Sequence, residues 1–124
     1  MKMKIVYVGI MSREAYKERT IAIAKGEYKR KKNEPKIWFE SLKSMAQILS
    51  NENRQLLRTI LDKKPASLAE LEEMTGRKKS NLSRTLKTLE RYGIVALHKE
   101  KNRVIPEVKA TEFKVEFGLG EMVA

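Results

Sequence analysis

The chain has 124 residues, of which 27 are basic and 16 acidic, so its formal net charge is +11. This length predicts one domain with an appended arm, and the 41% apolar content is enough for an ordinary core. Because there is no cysteine, disulfides and thiolate metal sites are excluded. The longest apolar run, Ile5 to Met11, is too short to span a membrane, and we expect a cytoplasmic protein.

The positive charge is concentrated in two segments. Residues 12–36 hold nine basic and four acidic residues, and residues 75–91 hold six basic residues and Glu90 alone. Residues 37–74, between them, are nearly neutral. Because basic side chains that neutralise phosphates release counterions, this pattern favours dedicated nucleic-acid contacts. A general positive surface that only keeps the protein soluble is the alternative.

The first segment predicts a strand followed by a helix. Residues 4–10 are β-branched and aromatic, which is typical of a short strand. Ser12 is expected to cap a helix that runs to about Lys32, with a poor apolar stripe and Gly26 inside it. We therefore expect residues 1–36 to form an N-terminal strand and a basic helical arm that a partner surface or DNA stabilises.

A second helix is predicted from Ile37 to Leu49, because four apolar residues recur there at i, i+4, i+7 and i+11. These residues are Trp38, Leu42, Met45 and Leu49. They would share one face of the helix. We interpret that face as a dimer seam, with a place in the core as the alternative.

Three further helices and a hairpin follow. Residues 50–63, 67–75 and 79–92 each carry an apolar helical stripe, and the second of them opens on a capping box formed by Ser67 and Glu70. Two β-branched runs, 94–98 and 103–108, flank a charged tip and predict a hairpin.

This order of elements predicts a winged helix-turn-helix over residues 37–117, with residues 118–124 as a tail. A last alternating stretch, 111–117, could add a strand. The expected fold class is therefore mainly α with a small β-hairpin, preceded by the N-terminal strand and the helical arm.

The helix at 79–92 has the residue types of a recognition helix, whose N-terminal end enters the major groove. Asparagine can bond adenine through two atoms, arginine and lysine can bond guanine, and serine can bond either. The predicted base contacts are Lys79, Ser80, Asn81 and Arg84. The predicted phosphate contacts are Arg77, Lys78, Ser83, Lys87 and Arg91. Three hairpin residues could contact DNA as a wing or could merely keep the turn soluble: Lys99, Lys101 and Arg103.

Residues 67–97 resemble the DNA-reading core of MarR-like and ArsR-like winged-helix regulators. The resemblance is carried by Ser80, Ser83, Arg84, Leu86, Leu89 and Gly93, which match that pattern almost in register. The chain departs from it at Lys78, where a serine or threonine cap is common, and at Arg77, which replaces an apolar residue. The resemblance implies a DNA-binding transcriptional regulator.

A wider resemblance covers most of residues 12–117. Residues 35–61 are similar to a group of small prokaryotic predicted regulators in which a helical arm precedes the winged helix. Some members of that group look like antitoxins paired with a small toxin. This resemblance implies an autoregulating antitoxin whose protein partner is a toxin.

Signals of catalysis are nearly absent. The chain has one histidine, His98, and one aspartate, Asp62, without the spacing of a catalytic triad. There is no Walker loop, and residues 118–120 are too short for a dinucleotide fingerprint. The glutamates lack metal-ligand spacing, and Glu72 and Glu73 are expected to form a solvated helix face. We expect no catalytic residue, no metal and no cofactor.

A small basic RNA-binding protein or a ribonuclease toxin is the alternative, because such enzymes can work without histidine. Tyr7, Tyr16 and Tyr28, interleaved with the basic arm, are the feature that supports it. A winged helix that binds proteins is a third class, and the basic face of residues 79–91 argues against it. The sequence favours a homodimeric, sequence-specific regulator of double-stranded DNA, because one recognition helix reads few bases and pseudo-palindromic half-sites are the usual solution.

Overall fold

The computed structural model describes residues 4–29 and 34–119, which form five helices and five strands. The helices are α1 (Arg13–Ala24), α2 (Leu42–Ile48), α3 (Asn51–Lys63), α4 (Leu68–Thr75) and α5 (Lys79–Arg91). The strands are β1 (Ile5–Ile10), β2 (Ile37–Phe39), β3 (Val95–Glu100), β4 (Arg103–Val108) and β5 (Glu112–Glu116). None of the described helices combines the length and the apolarity needed to cross a membrane.

The prediction of a mainly α protein with a small β-hairpin is wrong. Besides the hairpin of β3 and β4, the described residues form a three-stranded parallel sheet in the order β2-β1-β5. The chain is therefore a mixture of α and β structure. Parallel pairing joins segments that lie far apart in the sequence, and a local hydrophobic pattern does not reveal such a partner.

The chain divides into two compact units. The sheet unit comprises the described residues up to Ala46 together with those from Glu112 onward, and the helical unit is Gln47–Thr111. This division differs from the predicted domains at 1–36, 37–117 and 118–124. The reason is that β2 and β5, which the sequence assigned to the winged-helix domain, both pair with β1.

The middle strand of the sheet, β1, carries the core of the sheet unit. Val8 is fully buried and lies opposite Ile37 on one side and Val115 on the other. Gly9 points to the other face, because successive residues of a strand alternate. A Cβ atom added there would lie 2.4 Å from Cζ3 of Trp38, so the ring of Trp38 packs where only a glycine leaves room.

The predicted arm and second helix also differ from the structure. Helix α1 ends at Ala24, well before Lys32, and Gly26 beyond it has a φ of 76°. Residues 30–33 lie outside the described part of the chain. A glycine in this left-handed conformation cannot continue the helix, which explains the early end.

Trp38 lies in strand β2, not in a helix, so the predicted helix over 37–49 is wrong in its first part. Helix α2 begins at Leu42 and ends at Ile48, which leaves Leu49 outside it. The four apolar residues Trp38, Leu42, Met45 and Leu49 therefore do not share one helical face. The stripe on which the predicted dimer seam depended does not exist.

The helical unit is organised by the apolar faces of three helices. These faces supply most of its buried side chains: Leu56, Leu57, Ile60, Leu71, Leu82, Leu86 and Leu89. The antiparallel hairpin adds Val95 and Val108, which lie opposite each other in the ladder. Burial of these faces stabilises the unit and determines which side of each helix meets water.

Helices α3 and α4 of this unit begin at serine caps. Ser50 Oγ accepts the N–H of Asn53 at 3.2 Å, and Ser67 Oγ accepts the N–H of Glu70 at 3.1 Å. The Glu70 carboxylate accepts the N–H of Ala66 at 3.3 Å, one residue earlier than in the predicted capping box. Both polar side chains predicted at the start of α4 thus accept backbone hydrogen bonds there.

Candidate nucleic-acid interface

The candidate interface is the outer face of α5. Leu82, Leu86 and Leu89 have at most 1% of their surface exposed, so the opposite face of the helix meets the solvent. The four predicted base-contacting side chains all lie on exposed positions: Lys79, Ser80, Asn81 and Arg84. The helix therefore presents hydrogen-bonding groups along its first half, as base-edge recognition requires.

The basic side chains around this face have no ion-pair partner within the described residues. Lys78, Lys79, Arg84, Lys87 and Arg91 are exposed, and the salt bridges of the described residues involve other groups. Ser83 is half-buried on the same helix. Charges without intramolecular partners are the ones available to bind phosphate.

The start of α5 is capped by a residue of the preceding helix. Lys78 occupies the cap position and makes no side-chain cap bond. Instead Glu72 Oε2 accepts the backbone N–H of Lys79 at 3.1 Å. Glu72, which the sequence assigned to a solvated face, therefore also caps the next helix. The only signal in the sequence is indirect, because a lysine at the cap leaves the N–H groups of the first turn without an acceptor.

Arg77 is tied into the helical unit. It is half-buried, and its Nη1 donates to Asn53 Oδ1 at 3.3 Å. Asn53 in turn donates from Nδ2 to the carbonyl of Ile48 at 3.0 Å. The predicted phosphate contact at Arg77 therefore competes with a hydrogen bond that joins the turn before α5 to α3.

The hairpin ends in a two-residue turn, since Glu100 lies opposite Arg103 and Lys101 and Asn102 connect them. Lys101 has a φ of 55°, in the left-handed region that such turns use. The predicted wing residues Lys99, Lys101 and Arg103 are all exposed. They are thus accessible at the tip.

A cleft of about 320 Å³ separates α5 from the hairpin. Lys87 of α5 and Lys99 of β3 both line it, together with the apolar residues Leu86, Leu97 and Val104. The structure therefore brings a predicted phosphate contact of the helix and a predicted wing residue to the same cleft. The acidic residue Glu90 also lines the cleft, beside the two lysines.

The tyrosines of the ribonuclease alternative have different surroundings in the sheet unit. Tyr28 donates a short hydrogen bond to Glu34, which, together with burial and the charge of the carboxylate, raises the pKa of Tyr28. Lys114 Nζ lies 6.0 Å from the ring centre of Tyr7, while Tyr16 is 44% exposed. A raised pKa holds the proton on Tyr28 and does not favour its use as a base at neutral pH.

The titratable groups of the described residues form no constellation for metal chemistry. Within residues 4–29 and 34–119, no group of three or more histidine, aspartate or glutamate side chains could hold a metal ion. His98 is exposed on β3, with Nε2 at 2.9 Å from Glu107 Oε1.

The helical unit is a three-helix domain with an antiparallel hairpin that presents the basic, exposed face of its third helix. The chain belongs to the family HVO_A0114, which matches residues 48–115. The matched range spans α3, α4, α5, the hairpin and most of β5. No curated protein and no solved structure matches the chain.

Proposed function

We propose that this protein is a cytoplasmic, sequence-specific transcriptional regulator that places the N-terminal half of α5 in the major groove of double-stranded DNA. The observation that carries the proposal is the outer face of α5. Its polar and basic side chains are exposed and without ion-pair partners within the described residues, while its leucines are buried. The proposal also agrees with the resemblance to MarR-like and ArsR-like regulators.

Asn81 and Arg84 are the base-reading residues in this proposal. Asparagine suits adenine and arginine suits guanine, and each such contact contributes about 1–3 kcal/mol of discrimination. Lys78, Lys87 and Arg91 bind phosphates, because their exposed charges are free of internal partners. The basic tip of the hairpin extends this contact along the backbone of the duplex.

The regulator binds as a homodimer in this proposal. A single recognition helix reads few bases, and two copies reading half-sites about one helical turn apart solve this problem. The antitoxin role that the wider resemblance implies stays a prediction. The first experiment therefore tests whether the protein binds the promoter upstream of its own coding region.

The test compares binding of the full chain to its own upstream DNA and to random duplex of equal length, across a salt series. A specific regulator retains sequence-dependent binding at physiological salt. For a protein that binds only through its +11 charge, the affinity for both duplexes falls equally and steeply as the salt concentration rises. That second outcome contradicts the proposal and leads to RNA binding and RNA cleavage as the next assays.

Variants of α5 separate base contacts from phosphate contacts. We expect Asn81→Ala and Arg84→Ala to reduce the difference in affinity between operator and random DNA. Lys87→Ala should weaken both alike and lower the salt slope by about one. Arg58→Ala is the charge-matched control, because Arg58 is exposed on α3 and removal of its charge should cost less than removal of Arg84. Equal losses for the Arg84 and Arg58 variants would show that net charge alone drives binding.

A further inference from the structure

Strand β5 has an open edge. Among the described residues it pairs with β1 alone, and it lies at the end of the sheet. The N–H of Glu112 donates to the carbonyl of Lys4 at 3.1 Å, so residue 112 directs its backbone groups towards β1. In a ladder of this kind the alternate residues, Phe113 and Val115, direct theirs to the outside. An edge of unpaired N–H and C=O groups is a template for another strand.

The side chains along this edge alternate between charge and apolar surface. Glu112, Lys114 and Glu116 lie on one face, and Phe113 and Val115 on the other, since successive residues of a strand point to opposite faces. Val115 is 37% exposed, and Phe117, the residue after the strand, is 60% exposed. Apolar side chains are thus left uncovered beside unpaired backbone groups.

We propose that the occupant of this edge is β5 of a second copy of the chain, paired antiparallel about a two-fold axis at Val115. In this register Lys114 of each copy lies opposite Glu116 of the other, and Phe113 lies opposite Phe117. Two pairs of opposite charges and two aromatic pairs form, which are favourable cross-strand combinations. The result is a continuous six-stranded sheet across the dimer.

Charge pairing and aromatic pairing together favour this register over its neighbours. An axis at Lys114 would place the two lysines opposite each other and each Glu112 opposite a Glu116, which is repulsive. An axis at Phe113 would pair Lys114 with Glu112 and leave Phe117 without an aromatic partner. A shift of the strand pairing by one residue, with the axis between two residues, would place charged side chains opposite apolar ones.

This inference deepens the proposed function, because it names the surface through which the proposed dimer forms. Its test does not need DNA. Sedimentation velocity of the full chain gives the dimer dissociation constant of the wild type and of the single variants Lys114→Glu and Glu116→Lys. Each single variant makes two like-charge pairs, and we expect about tenfold weaker dimers. The double variant restores two opposite-charge pairs and should recover near wild-type affinity.

The control is Glu112→Lys, which reverses a charge of the same strand and face. In the proposed register Glu112 lies opposite Gly118 of the other copy, so this variant should dimerise like the wild type. A chain that is monomeric at its highest soluble concentration overturns the proposal. A dimer that responds to the Glu112 variant and not to the Glu116 variant, or to neither, also overturns it. DNA binding measured separately on the same variants tells loss of dimerisation apart from failure of the proposed function.

Discussion

The carboxylate of Glu72, on α4, accepts the backbone N–H of Lys79 at 3.1 Å and so caps the helix that follows. Because Lys78 makes no cap bond, this is the one side-chain cap at the start of α5 within the described residues. We predict that Glu72→Ala lowers the free energy of unfolding by about 1 kcal/mol, the usual effect of losing a helix cap. Urea denaturation measures it.

Glu73→Ala is the matched control for this prediction. Glu73 is exposed on the same helix, and its carboxylate makes no hydrogen bond or ion pair within the described residues. We expect its removal to change the free energy of unfolding by less than about 0.5 kcal/mol. Equal effects of the two variants would mean that α5 does not depend on the Glu72 cap.

Arg77 and Lys78 are neighbours with different expected roles. Arg77→Ala removes the hydrogen bond to Asn53 and should lower the free energy of unfolding by about 1 kcal/mol. Lys78→Ala should leave stability unchanged and weaken DNA binding at low salt, because Lys78 is exposed and has no internal partner. Denaturation and DNA titration of both variants check this. A Lys78 variant that is as unstable as the Arg77 variant would contradict the division of roles.

The ion pair between Arg19 and Glu34 should contribute far more to stability than the pair between Arg13 and Glu40. The first pair is 3.0 Å long with side chains only 14% and 13% exposed, and the second is 2.9 Å long with side chains 84% and 55% exposed. Glu34→Ala leaves a largely buried guanidinium without its carboxylate and also removes the acceptor of the Tyr28 hydroxyl, at a combined cost of about 3 kcal/mol. Glu40→Ala, the control, should cost less than about 1 kcal/mol.

The free energy of unfolding is the readout for both pairs. Arg19 also contacts two aromatic rings. Its guanidinium lies 5.0 Å from the ring centre of Trp38 and 5.6 Å from that of Tyr28. Similar losses for Glu34→Ala and Glu40→Ala would show that this cluster is more open to water than the structure indicates.

Tyr28 should make stability depend on pH at the alkaline end. Its hydrogen bond to Glu34 raises the pKa of Tyr28 above the ordinary value of 10.0, so the folded state holds the proton more tightly than the unfolded chain. The stabilisation is complete below pH 10 and is lost as the pH rises from there through the raised pKa. Tyr28→Phe should therefore be less stable than the wild type at pH 8, with a gap that narrows above pH 10.

Urea denaturation at pH 8 and at pH 10.5 measures this gap. The lysines titrate in both proteins, so their contribution cancels in the difference. A gap that stays constant across this range would show that Tyr28 does not titrate against Glu34.

The helical unit was largely predictable because its signals are local. A leucine stripe and a following glycine predicted a helix at 79–92, and α5 covers Lys79–Arg91. The two β-branched runs predicted a hairpin at 94–108, and β3 and β4 lie there. Periodicity and turn residues are sufficient where the partners of a segment are its sequence neighbours.

In the sheet unit, β1 and β5 lie where the sequence indicated strands, at 4–10 and 111–117, but strand β2 and the parallel pairing of the three strands were not predictable. Trp38 falls at helical spacing with Leu42 and Met45, yet the space beside Gly9 and the pairing with β1 keep it in a strand.

In the helical unit, the cap by Glu72 was not predictable either. It depends on how α4 and α5 meet, which the spacing of charges does not encode. In both cases tertiary contacts overrode the local pattern.

The pairing of β1 with β5 has a consequence for the order of folding. It closes a loop from Ile5 to Glu112, whereas the helical unit is the contiguous segment Gln47–Thr111. We expect local contacts to form first, because closing a long loop costs chain entropy before the contacts between the strands can offset that cost. During synthesis, the edge of β1 that pairs with β5 thus stays unpaired until residues 112–116 have been made. Strand β1 is therefore made before the helical unit but completes its pairing only after that unit has been made.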